Sequence, residues 1–335
     1  MDREQDEMQF LGFFGILKES SKIIYSWRKI FSQITFTLIL PLSFIFLIHI
    51  ELSDLIFNKI HHNKSQISET QSGTPRYEKL SDMITSEWIT FWLFKMVYFT
   101  FLLIFSLLST SAVVYTIACI YTAKEVTFKK VISVVPKVWK RLMLTFLCTF
   151  AAFFAYNLIT LVVIILCKIT IEENGKISGN IIVLVIIAIF YLIGFVYLTL
   201  VWQLASVVTV LEDCYGVKAM KKSKELIKGK TVLSIAIFFM LHVSFILIRV
   251  LFKKVVVNGW KLGSVDRTAY AILCFLMLSG LYLFGLVLQT VLYFVCKSYH
   301  HENIDKSALA DQLEAYRGQY VPLTAKEVQM EQYQV

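Results

Sequence analysis

The sequence predicts an all-α fold: a polytopic membrane helical bundle of six transmembrane helices plus amphipathic interfacial helices. Three observations predict it. Hydrophobic residues fill 57% of 335 positions and charged residues 17%, against roughly 25% charged in soluble domains. The apolar residues come in blocks of about 20 to 33, and a bilayer core about 30 Å thick needs about 20 per helix. Lipid also requires the backbone to satisfy its own hydrogen bonds, which makes each block a helix. Between blocks stand two short basic linkers, TAKEVTFKKVISVVPKVWKR (122–141) and EDCYGVKAMKKSKELIKGK (212–230).

Residues 1–30 form an N-terminal cytosolic segment. The start, MDREQDE, is polar and acidic, with no short apolar core and small-residue cleavage site behind it, so it is not a cleavable signal. Phe10, Leu11, Phe13, Phe14, Leu17, Ile24 and Trp27 alternate with Lys18, Lys22, Arg28 and Lys29. That reads as an amphipathic helix, lying on the membrane face or packed against the bundle. The membrane domain, 31–297, holds spans at about 31–50, 89–121, 142–167, 180–211, 231–252 and 269–296. Pro41 predicts a kink in the first span. The second is too long for an untilted crossing, so it tilts or projects. Residues 51–88 read as the longest loop, polar and rich in Ser, Thr and Asn. They carry the sequon Asn63-Lys64-Ser65. Gly175, Gly179, Gly259 and Gly263 mark the short connections at 168–179 and 253–268. The tail, 298–335, is polar, with a short helix expected over Ser307–Tyr316 and a disordered end.

Charge sets the orientation. Of 33 Lys and Arg, 21 fall in the N-terminal segment, the two basic linkers and the tail counted from Lys297, and ten in the three other connections. The positive-inside bias then puts both termini in the cytosol and Asn63 on the opposite side, where a glycan can be added. The membrane is the endoplasmic reticulum or another endomembrane, or the plasma membrane. A net charge of +9 raises nucleic acid as a partner. The lysines lie beside apolar blocks, however, so the expected partners are lipids of the anionic cytosolic leaflet and not nucleic acid.

The two basic linkers also suggest an internal repeat, 89–167 and 180–252, each a helix–linker–helix unit. Glu125 opens one linker and Glu212 with Asp213 the other. In 212–230, Gly216 breaks the preceding span and 217–228 restarts as a helix along the bilayer. Ala219, Met220, Ser223, Leu226 and Ile227 fall on one side, with Lys218, Lys221, Lys222 and Glu225 largely on the other. Lys218, Lys221, Lys222, Lys224, Lys228 and Lys230 are therefore the lipid-contact candidates, in a basic face shared with 122–141.

Ionisable and amide groups inside spans are functional candidates by position. His242 stands mid-span, and Asn157, Gln203 and Gln289 pack as interhelical hydrogen-bonding groups. Lys95 and Arg249 lie near span ends, where long side chains snorkel. No catalytic motif is visible, and the pairs His61-His62 and His300-His301 lack a regular third ligand. Neither a cofactor nor a metal is expected. Of the six cysteines, all but Cys214 sit in or at the end of an apolar block and none has CxxC spacing. They read as small buried hydrophobes.

Two resemblances follow. Leu211-Glu212-Asp213, Gly216, Ala219, Ser223, Leu226 and Gly229 resemble a motif of the bacterial YciC-like proteins and of the membrane domain attached to some glycerophosphodiester phosphodiesterases. This implies a six-helix membrane domain without the catalytic barrel. Ser26-Trp27-Arg28-Lys29-Ile30-Phe31-Ser32-Gln33-Ile34-Thr35, running into LILPLSFIFL, resembles the start of a plant family of six-span membrane proteins. Some of its members are labelled polyadenylate-binding-protein-binding proteins. Of the docking motif that label implies, the tail has Leu313, Tyr320 and Pro322, with Glu314 and Arg317 where asparagine and alanine are usual. Tyr320-Val321-Pro322-Leu323 also has the form of a tyrosine-based sorting signal, with Tyr320 and Leu323 as its key residues and a cytosolic adaptor as partner. Three functions are open: a non-catalytic bundle organising lipid or partner proteins, a transporter or channel around His242, Asn157 and Gln203, and a membrane enzyme acting on a lipophilic metabolite.

Overall fold

The computed structural model describes residues 8–70, 73–124, 126–174, 177–259 and 263–300, with the side chains of 170–182 left aside. Among these residues the fold is all-α. Six helices are long and apolar enough to cross a membrane: Arg28–Ser68, Pro75–Tyr121, Phe128–Ile169, Val183–Leu211, Thr231–Val257 and Ser264–Tyr299. The chain is an integral membrane protein, and every predicted span has its helix. Glu125, Gly175, the second histidine of His300-His301, Ser307–Tyr316 and the tail motifs, Tyr320 and Leu323 included, lie outside the described residues.

Helix α1 is Phe13–Ser26 and α2 is Arg28–Ile34. A π turn over Thr35–Ile39 joins α2 to α3, Leu40–Ser68. Pro41 explains that turn. It has no N–H for the carbonyl four residues back, and the Leu40 N–H bonds Thr35 O, five residues back. A π turn thus stands where the kink is expected. Helices α4 (Pro75–Tyr121), α5 (Phe128–Asn174), α6 (Ile177–Leu211), α7 (Val217–Ile227), α8 (Thr231–Phe252) and α9 (Ser264–Tyr299) complete the chain, with a second π turn at Lys253–Val257 after α8.

Contacts divide the chain into two compact units, the first of Met1–Ile30, Thr110–Phe238 and Leu286–Val335, the second of Phe31–Ser109 and Phe239–Gly285. In the first, α5, α6 and α7 pack on one another. Its buried centre includes Ile117 and Ala118 of α4, Val207 and Val208 of α6, and Tyr293 and Phe294 of α9. The outer faces stay apolar and open. Phe154 is 64% exposed and Ile193 61%, the signature of contact with hydrocarbon rather than water. In the second unit, Leu47 and Ile50 of α3 pack with Ile248 and Phe252 of α8, Val256 and Val257 of the π turn, and Cys274 and Leu278 of α9.

Residues 51–88 correct the expected loop. They are largely helical, since α3 runs to Ser68 and α4 begins at Pro75. With 47 residues, α4 is about 70 Å long and outreaches a bilayer of about 40–45 Å including headgroups. Its polar end pairs with that of α3. Asn63 Nδ2 donates to both carboxylate oxygens of Glu87 at 2.9 Å, and Lys59 Nζ lies 3.2 Å from Glu87 Oε1. The two linkers also differ from expectation. Linker 122–141 has no separate helix, because α5 starts at Phe128 and runs on through Pro136. Linker 212–230 holds the separate helix α7, since Gly229 at φ +85° breaks the chain before α8. Gly179 lies inside α6, whereas Gly259 and Gly263 do stand in a connection.

Candidate functional site: a lysine-bearing helix tied down at both ends

Helix α7 forms where expected, over Val217–Ile227, and Ala219, Ser223, Leu226 and Ile227 are its buried residues. They recur at four, three and one residues, which is one face of a 3.6-residue helix. That face packs on α6 and α5, and the Ser223 hydroxyl donates to the Val201 carbonyl at 2.8 Å. The apolar side of α7 is therefore spent on protein, not on lipid.

The joint before α7 is polar and closed. Leu211 ends α6, and the next two residues each take a cation from elsewhere in the same unit. Asp213 Oδ1 accepts from Arg141 Nη1 of α5 at 2.7 Å. Glu212 Oε1 accepts from the Tyr293 hydroxyl at 2.6 Å and from Lys297 Nζ at 2.8 Å, both on α9. Below them the hydroxyls of Thr145 and Thr209 share a buried hydrogen bond of 2.9 Å. The Gly216 N–H donates to Thr145 Oγ1 at 2.8 Å, which satisfies a donor that the turn would otherwise leave without a helical partner.

The far end is tied by other means. His300 Nε2 stands 2.9 Å from the Lys228 carbonyl and 3.2 Å from that of Leu226. Its protonated ring nitrogen thus serves carbonyls that end a helix. Lys230 Nζ donates to the Gln9 carbonyl at 2.9 Å and lies 4.9 Å over the Tyr299 ring.

This sorts the six lysines. Lys218, Lys221, Lys224 and Lys228 are exposed, whereas Lys222 and Lys230 are half-buried and engaged. In the same unit α5 exposes Lys129, Lys137 and Lys140. Helix α1 is packed through Ile16, Glu19, Ser20 and Ile23, yet it leaves Phe14 80% and Tyr25 76% exposed beside the exposed Lys18 and Lys22. Helix α1 is thus packed on one face and open on the other.

Asn157 and Gln203 belong to the first unit and His242 to the second. Asn157 is exposed on α5, donating to the Phe153 carbonyl and accepting from the Tyr191 hydroxyl at 3.0 Å. Gln203 lines a small cavity with Gln289, Ser234 and the leucines 200, 204 and 292. At about 10 Å³ it has room for about one water. His242 is half-buried in the second unit. Asn63 is only 7% exposed, with its amide nitrogen held by Glu87, so a glycan on that nitrogen would displace this contact. Lys95 has hydrogen-bond partners on α3. Its Nζ lies 2.7 Å from His49 Nε2 and 3.0 Å from Ser53 Oγ. Sequence reading passed over His49, though His49 and Ser53 are spaced to share one face of α3.

The matching family model is described as "Domain of unknown function (DUF8558)" and covers residues 1–333. The chain belongs to that family. No curated protein and no solved structure matches it.

Proposed function

We propose that this chain is a non-catalytic integral membrane protein whose lysine-bearing face holds anionic lipid at the cytosolic leaflet. One observation carries the reading: α7 exposes three lysines, with Lys228 exposed just after it, while its apolar side is already used against α5 and α6. A helix held this way presents cation without inserting, which suits a headgroup layer. The exposed lysines of α5 and the aromatic and basic surface of α1 extend the same chemistry within that unit. The uneven distribution of Lys and Arg supports a cytosolic placement for this face and for both termini. The cavity beside Gln203, with room for one water, supports hydration of packed helices rather than passage of a solute.

Each lysine near an anionic surface contributes about 1 kcal/mol at low salt, and the effect fades within a Debye length of about 8–10 Å at physiological salt. Exchange of Lys218, Lys221, Lys224 and Lys228 together for glutamine is expected to reduce co-purification of phosphatidylserine over phosphatidylcholine from mixed nanodiscs by about tenfold. Raising the salt should mimic the exchange in the unaltered protein. If lipid selectivity is unchanged, the segment is connection alone. The tail's Tyr320 and Leu323 support a cytosolic adaptor as a second partner, and Tyr320→Ala should then redistribute the protein between membranes in cells.

A further inference from the structure

In the second unit, two cations that stand within apolar stretches of α4 and α8, Lys95 and Arg249, have no carboxylate partner among the described residues. Lys95 of α4 is half-buried, and its bonded neighbours are neutral: His49 Nε2 at 2.7 Å and Ser53 Oγ at 3.0 Å. Because an ammonium only donates, His49 must accept through Nε2, and of the three Lys95 protons one remains for a further acceptor. The ammonium also sits 5.0 Å from the centre of the Phe91 ring. His49 is fixed in turn, stacked on Tyr98 at 3.6 Å and on Phe94 at 5.7 Å.

The acids on the same stretch of α3 are committed elsewhere, Glu51 to Arg267 at 3.2 Å and Asp54 to Lys253 at 2.9 Å. Among the described residues, Lys95 and Arg249 have no carboxylate partner. Arg249 stands at the level of His49. Its neighbour Ile248 packs in one cluster with Leu47 and Ile50, and Phe245, one turn earlier, lies 5.0 Å from Phe46. Its guanidinium is within electrostatic reach of Lys95, His49 and Tyr98. An unbalanced positive pair beside hydrocarbon is costly and draws a counter-ion. The surface next to Lys95 is strongly apolar, with Trp92 63% and Met96 65% exposed. Tryptophan is also the ring that favours the membrane–water boundary.

We infer that Lys95 and Arg249 form a site for the oxyanion headgroup of an amphiphile, a phosphate or carboxylate carried on an acyl chain. The polar end meets the two cations, with the third Lys95 proton as its hydrogen-bond donor, and the chain lies along α4 past Trp92 and Met96. The Lys95 side chain is turned toward α3 by two hydrogen bonds, so its charge is held in place rather than free to follow the water boundary. This proposal does not depend on the lysines of α7.

The test uses the full chain with Lys218, Lys221, Lys224 and Lys228 already exchanged for glutamine, so that α7 makes no contribution. Retention of phosphatidic acid, oleate and phosphatidylcholine is measured by mass spectrometry after purification in mild detergent. An anionic amphiphile is expected to be retained about tenfold over phosphatidylcholine, and Arg249→Gln, an exposed change that leaves the His49 contacts intact, to remove most of that preference. Lys95→Gln should remove it fully, and Lys95→Arg should keep it. Preference for phosphatidic acid alone would identify a phospholipid ligand, and for oleate alone a fatty acid. Equal retention of all three, or a preference untouched by Arg249→Gln, would overturn the site.

Discussion

Glu212→Ala is expected to cost about 3 kcal/mol of stability, the low end of what breaking a buried ion pair costs. The Glu212 and Lys297 side chains are only 16% and 17% exposed, and the carboxylate also accepts from Tyr293, whose side chain is 1% exposed. Alanine would leave the Lys297 ammonium in that setting with its carboxylate gone, and an unpaired charge there is what makes such deletions expensive. Glu212→Gln keeps an acceptor but loses the charge, and should cost about half as much, in line with the greater strength of charged hydrogen bonds. The decisive measurement is a double-mutant cycle in detergent unfolding. Glu212→Ala with Lys297→Met should recover a good part of the loss, because removing both charges removes the stranded one. If the two losses simply add, the pair is not coupled and α9 does not hold the start of this linker.

The six spans were legible because an apolar window of about 20 residues in a chain this hydrophobic has one physical outcome. Their ends were not. Residues 51–88 look like a loop because hydropathy sees polarity, whereas Lys, Glu and Gln are good helix formers. What makes those polar ends pair is Asn63 with Glu87, 24 positions apart. A structureless loop of that length was itself improbable, and this was the available warning. Helix α7 was readable from the spacing of Ala219, Ser223, Leu226 and Ile227. The difference between Lys221, which faces outward, and Lys230, which reaches Gln9, was not, because it depends on a partner 221 positions away. The same holds for His49 and Lys95, 46 positions apart. Glu212 was visible as an acid opening the linker, but its partner Lys297 looked like one more basic residue of the tail.

Gly216→Ala is expected to lower stability by about 1–3 kcal/mol, the range for a non-glycine residue forced into a glycine-only backbone region. Gly216 has φ +62° and ψ −132°, outside the small left-handed helical region that other residues occasionally visit. A Cβ there would lie 3.3 Å from Cys148 Sγ and 3.9 Å from Leu144 Cγ, close but not prohibitive, so the backbone term dominates. Two consequences separate this from simple crowding. Cys148→Ala should not rescue Gly216→Ala, since it frees space but not the dihedral angles. Gly216→Asn should fare no better than alanine, because asparagine tolerates the left-handed helical region and not this one. Gly12→Ala is the matched control, with φ −82° and nothing within 4 Å of its Cβ. It should be neutral or stabilising by up to about 1 kcal/mol through the unfolded chain. The comparison is read from midpoints of thermal unfolding in one detergent. Because the Gly216 N–H also bonds Thr145, the joint that fixes how α7 leaves α6 should loosen in the alanine variant. Its selectivity for anionic lipid should then fall even though every lysine is still present. Retained selectivity in a destabilised Gly216→Ala protein would mean that the charge of α7, and not its orientation, is what the lipid reads.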